Sequence, residues 1–436
     1  MTPISRRALL RATLASAGAA VLFGSWRRGR GMAQGALGAL RLPLIVTWPA
    51  PTPTPAPTPP PSPTPSVTPN VGPSPTVVPM DLRGRVVHAH ASTATFWDYG
   101  NSYYGDYVNQ DVVDAMLDAA VVALTGRDSV AAAWRAIVPD YVPGRGIAIK
   151  LNLNNTYHCD LPRTRCEEWQ LVLDAVVHPV NAIVSGLHRA YPAFDERDVW
   201  VYDGTIGTNP PVSNRRIPAR LIAGCRYPGV RFFDTGCAEP VTYDVSSPGA
   251  LISWRPPDSV PAPPAMAVAD VLVRATYVIN VPIMRRHVSA GVTLGFKNHL
   301  GSVDDPASLH AWVCRDGAHL AGPAYSPLVD LYRNPHIGPK TVLVLGDGLY
   351  GNWDNNITKA APWRTFGGQA ANSLFVATDP VAIDCVMTDF LHAESPVWDM
   401  ADLYLQAAAS AGLGVFERGD PWNAGYGAIA YSRLEV

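Results

Sequence analysis

Short apolar runs recur along the chain at a spacing that leaves room for one helix between them. Arg85–His90, Gly146–Asn155, Val199–Asp203, Val230–Asp234, Tyr277–Val281, Thr341–Leu345 and Ser373–Ala377 read as strands, several of them apolar on both faces. Between them, Asn109–Leu124, Glu168–Ala190 and Arg216–Gly224 carry helical spacing, and a last helix is expected near Met400–Ala411. Asp379-Pro380 is a helix start, with an N-cap side chain followed by proline at the first helical position. Strand–helix–strand alternation predicts βαβ units. The expected class is α/β: a doubly wound, mostly parallel or mixed sheet with helices on both faces.

The alternation begins only after residue 79. Ser5-Arg6-Arg7-Ala8-Leu9-Leu10 is a twin-arginine signature, and the apolar stretch that follows, Ala12–Phe23, is short for a membrane span. Residues 1–33 are therefore expected to be an export signal, with Gly31-Met32-Ala33 as the small-residue cleavage site. Left uncleaved, the segment would be the chain's one contact with the membrane. Residues 34–79, rich in Pro, Thr and Ser, cannot bury a core and read as a disordered, semi-rigid spacer. Residues 80–436 are expected to form one α/β domain with a Pro/Ser-rich excursion at 247–265. Signal and spacer together place the protein outside the cytoplasm, in the periplasm or on the extracellular face of the cytoplasmic membrane, with the twin-arginine export machinery as a partner.

Charge narrows the function. After the signal region, 27 basic residues face 36 acidic ones, which argues against nucleic acid as a partner. Thirty arginines stand against four lysines, so each lysine draws notice. The six cysteines form no C-x-x-C pair, so no iron–sulfur cluster or zinc ribbon is encoded. Cys159/Cys166 and Cys225/Cys237 are close enough in sequence to pair in an exported protein.

The chemistry gathers at a few points. Asn280–Val303 (NVPIMRRHVSAGVTLGFKNHLGSV) delivers Arg285, Arg286, His287, Lys297, Asn298 and His299 after an apolar strand. Lys150, Asn152 and Asn154 alternate onto one face at the end of another strand. Ammonium, guanidinium and carboxamide groups at strand ends suit an anionic or polyoxygenated ligand. Histidine titrates in the range useful for acid–base work. His287, Lys297 and Lys150 are thus the catalytic candidates, and Asn152, Asn154, Arg285, Arg286, Asn298 and His299 the substrate-binding ones. Asp347, between two glycines at a strand end, and Asp384, in the turn after Asp379-Pro380, would suit a divalent metal or orient a base. His88 and His90 share a strand face, and the aromatic stretch Phe96–Tyr107 reads as a binding rim or as a loop over the core.

The runs IAIKLNLN, INVPIMRRHVSAGVTLGFKNHLGSV, LVLGDG and ATDPVAID resemble the domain of unknown function family 362, over roughly Arg85–Leu391. The resemblance implies an α/β fold and names no activity. Some relatives carry fused iron–sulfur modules, absent here, and the usual lysine before the central histidine appears as Arg285. Three functions follow as expectations: an enzyme acting on a small anionic or polyoxygenated substrate, a non-catalytic binder of a small-molecule or glycan ligand, and a redox accessory protein.

Overall fold

Eleven strands of the described residues pair into one mixed sheet. They are β1 (Arg85–His90), β2 (Ile147–Lys150), β3 (Val199–Tyr202), β4 (Arg231–Asp234), β5 (Glu239–Pro240), β6 (Tyr277–Asn280), β7 (Ile283–His287), β8 (Gly291–Thr293), β9 (Thr341–Asn352), β10 (Ser373–Ala377) and β11 (Ala430–Glu435). This computed structural model describes residues 80–153, 171–205, 217–234, 239–354, 358–396 and 400–436. All of them belong to the second of the chain's two units, Asn70–Val436. The strand order is β11-β1-β10-β9-β6-β2-β3-β4-β5. From β9 to β5 every neighbour is parallel, while β10 runs antiparallel to both β9 and β1.

Helices cover both faces, as the alternation predicts. On one face, α1 (Gln110–Thr125), α2 (Val130–Ile137) and α3 (His178–Ala190) set Val113, Leu117, Trp134 and Ile183 against Ile149, Ile279 and Leu345 of the sheet. On the other, α4 (Gly295–Asn298), α5 (Pro327–Arg333), α6 (Pro380–Glu394) and α7 (Met400–Ser410) set Phe296, Leu328, Val386 and Leu405 against Ala148, Val278 and Val344. Period-two alternation in β2, β6 and β9 sends neighbouring residues to opposite cores.

The start of α6 is as expected. Asp379 Oδ1 accepts the backbone N–H groups of Val381 and Ala382, both at 2.9 Å. Its Oδ2 accepts from Gly84 and Val415, so the same cap also ties down β1 and the C-terminal region. Two boundaries differ from expectation. Helix α3 begins at His178, with Pro179 in its first turn; residues 171–177 before it are not helical, and the expected start at Glu168 lies outside the described residues. Strand β9 runs through Gly346-Asp347-Gly348 to Asn352 instead of ending there. Those glycines admit neighbours: a Cβ at Gly346 would lie 2.4 Å from Met387 Sδ, and one at Gly348 would lie 3.2 Å from Met284 Cε. The added length of β9 lets β7 continue along it beyond β6. Among the described residues no helix is long and apolar enough to cross a membrane.

Candidate functional site

Parallel β2, β3 and β6 bring their C-terminal ends to one edge, where Lys150 lies in register with Tyr202 and Asn280. Lys150 alternates with Ala148 and is fully buried on the second face. Its Nζ lies 3.1 Å from Asp203 Oδ1 and donates to Leu151 O at 2.5 Å and to Asn298 Oδ1 at 3.3 Å. Asp203 is held in turn: Oδ2 accepts the Leu153 N–H, and Oδ1 accepts the N–H and hydroxyl of Thr205. Burial pulls the Lys150 pKa down while the charge of Asp203 opposes it. The ion pair is roofed by Gly301, where a Cβ would come within 2.3 Å of Asp203 Oδ1 and 2.8 Å of Lys150 Nζ.

Asn298 is the hub of the network. Its Oδ1 also accepts from Asn152 Nδ2 at 3.3 Å, and its Nδ2 donates to Asn280 Oδ1 at 2.7 Å. Asn280 passes the chain on to the Gly295 carbonyl. Asn152 Oδ1 accepts from Arg285 Nη2 at 2.6 Å. The other arm of Arg285 donates to Leu173 O at 2.9 Å and lies 3.7 Å from Asp174 Oδ1. A continuous buried polar chain therefore links Asp174, Arg285, Asn152, Asn298, Lys150 and Asp203 across the strand ends.

Beside Arg285 stands a second group with a different character. The β7–β8 hairpin places Arg285 opposite Thr293 and His287 opposite Gly291. His287 Nδ1 accepts the backbone N–H groups of Ser289 and Ala290, at 3.2 and 3.1 Å, which leaves the ring proton on Nε2. Burial, then the nearby charges of Lys297 and Arg285, hold this imidazole neutral. His310 lies with its ring centroid 6.5 Å away. Lys297 is 5% exposed, and among the described residues it makes no hydrogen bond or ion pair. Burial brings its pKa down to about 8; a Cys314 thiolate would oppose that, and Arg285 adds to it. Among the described residues the buried Thr293 hydroxyl likewise has no hydrogen-bond partner.

The remaining candidates separate. Arg286 leaves β7 on the opposite side from Arg285, and its Nη1 donates to Ser395 Oγ at 3.1 Å. His299 is fully buried: Nδ1 meets Ser302 Oγ at 3.2 Å, Nε2 has no partner among the described residues, and burial lowers its pKa to about 3. Asp384 accepts the N–H groups of Gly295 and Phe296, at 2.8 and 3.0 Å, and so caps α4; burial raises its pKa to about 7. Asp347 alternates with Leu345 and Leu349 of the first core, on the face opposite Lys150. There it accepts the Leu349 N–H at 3.0 Å, and burial raises its pKa to about 6. The two carboxylates expected to share a cation are thus on opposite faces of the sheet. Among the described residues no group of three or more His, Cys, Asp or Glu is placed to hold a metal.

Asn154, Cys159, Cys166 and Cys237 lie outside the described residues, whereas Cys225 is a free thiol, against its expected pairing. His88 is buried between Tyr431 and Ser373, and His90 bonds Glu435. Trp97 and Tyr104 belong to the first core, so the aromatic stretch is largely packing. Sequence reasoning missed Asp203, Asn280, Asp174, Thr293 and His310 as members of the site. Asp203 carried a usable signal, an Asp-Gly pair directly after an apolar strand.

Residues 250–389 match the family described as Domain of unknown function (DUF362). The matched stretch contains Arg285, His287, Lys297, Asn298 and Asp384. It is narrower than the resemblance read from the motifs and leaves Lys150, Asn152 and Asp203 outside. The comparison with curated proteins finds no match.

Proposed function

We propose that the protein is an enzyme acting on a small anionic or polyoxygenated substrate, with Lys297 and His287 as the reacting groups. The buried chain from Asp174 to Asp203 is the scaffold that fixes them. One observation carries this reading: Lys297 is a buried amine with no counter-ion among the described residues, beside a fixed guanidinium. The other enclosed lysines are satisfied, the buried Lys150 by Asp203 and the half-buried Lys340 by the carbonyls of Leu272 and Val273. An uncompensated one costs stability, which an anionic ligand would return.

Thermal-shift measurements against small carboxylates, phosphates and sugar acids test this. A ligand at a hundred times its Kd stabilises by about 2.7 kcal/mol. The wild-type protein is expected to respond to at least one class, and Lys297→Met to lose that response. An equal response in the variant removes Lys297 from the site. The proposed setting is outside the cytoplasm, supported by Ser5-Arg6-Arg7 and by the Pro/Thr-rich spacer. Replacing Arg6 and Arg7 with Lys should leave the protein in the cytoplasmic fraction, and unchanged export would contradict that route.

A further inference from the structure

The two buried lysines near the strand ends are chemically distinct. Lys150 has a carboxylate at 3.1 Å and gives hydrogen bonds to two acceptors, so its nitrogen is fully committed as an ammonium. Lys297 has neither carboxylate nor acceptor among the described residues. Its neighbours are a guanidinium that cannot lose its charge and a neutral imidazole with its proton on Nε2, and across the hairpin from that guanidinium lies the Thr293 hydroxyl, without a hydrogen-bond partner among the described residues. A primary amine largely enclosed by protein, beside a cation and with no acceptor for its protons among the described residues, is in the state that makes lysine a nucleophile. Arg285 also supplies a fixed positive charge where an anionic substituent on the electrophile would be drawn.

We infer that Lys297 is a covalent catalyst whose Nζ condenses with the carbonyl carbon of a small anionic aldehyde or ketone, a 2-oxo acid by class. This rests on the proposed reading of the same site as an anion-handling enzyme. In the step, the Nζ lone pair forms the C–N bond and the carbonyl π pair moves to oxygen. One amine proton passes to that oxygen, with the His287 N–H as the nearby hydrogen-bonding group. The hydroxyl then leaves with a second proton as water, and a C=N bond remains. No oxidant or reductant takes part.

The test uses the full chain with pyruvate or glyoxylate and cyanoborohydride near pH 8, followed by intact mass and peptide mapping. One reduced adduct per chain is expected on the peptide holding Lys297. It should form at least tenfold faster than at the more exposed Lys359, since an amine with its pKa brought down to about 8 is largely unprotonated near pH 8. Lys150 should stay unmodified. Lys297→Arg keeps the charge and bulk, and the adduct should vanish in it. Labelling of Lys359 as fast as Lys297, or none at Lys297, overturns the inference. If a small anion still raises the melting temperature through Lys297 while no adduct forms, the covalent role fails and the anion site stands. Loss of both results removes both readings.

Discussion

Asp203→Leu is expected to destabilise the protein by roughly 3–5 kcal/mol, because it leaves the Lys150 ammonium buried with no counter-ion. The stranded charge sets most of that cost, and the missing attraction between the two groups sets less of it. The double variant Lys150→Met/Asp203→Leu removes both charges and should regain most of the stability. Denaturant unfolding of the four proteins of this cycle measures the difference, with m-values showing whether unfolding keeps the same exposed surface. If Asp203→Leu unfolds within about 1 kcal/mol of wild type, the pair is not the buried anchor described here.

Arg285→Met should have the next largest effect, and it acts on two observables. The substitution strips donors from Leu173 O and Asn152 Oδ1 and removes the charge 3.7 Å from Asp174, at a cost of roughly 3–5 kcal/mol. It also removes a cation that depresses the Lys297 pKa, so Lys297 should titrate higher than in the wild type. The sign for stability follows. A lysine whose folded pKa lies below its unfolded value contributes stability that is present above the unfolded pKa and lost as pH falls through the folded one. The Lys297 contribution is therefore lost from the usual lysine range down through about pH 8, and that window should narrow in Arg285→Met. An unchanged window would place Arg285 outside the electrostatic neighbourhood of Lys297.

Much of this arrangement is legible in the sequence, for physical reasons. Two-residue periodicity puts Lys150 at the end of β2 and Asn152 just beyond it on one side, and both reach Asn298. The apolar strands separated by helical segments force the parallel sheet, and that sheet brings the strand ends together. Arg285 and Arg286 cannot be told apart by pattern, because which of two adjacent residues faces the site depends on the register of β7 along β9. Asp347 is misplaced by pattern for a related reason: glycines that make room for Met387 and Met284 look identical in sequence to glycines that make turns. Asp384, expected to hold a metal or orient a base, instead caps α4. His310, which follows an irregular stretch, offers no period from which its place beside His287 could be read.

The chain has four lysines, which makes the decisive experiment direct: titrate them by NMR with isotope-labelled lysine, assigning each signal from a single Lys→Arg variant. The Lys297 amine should lose its proton near pH 8, well below an ordinary lysine, and its midpoint should move when a bound anion or Arg285→Met alters its surroundings. A Lys297 signal that titrates like a solvated side chain, indifferent to both, would mean that the nitrogen is neither enclosed nor uncompensated.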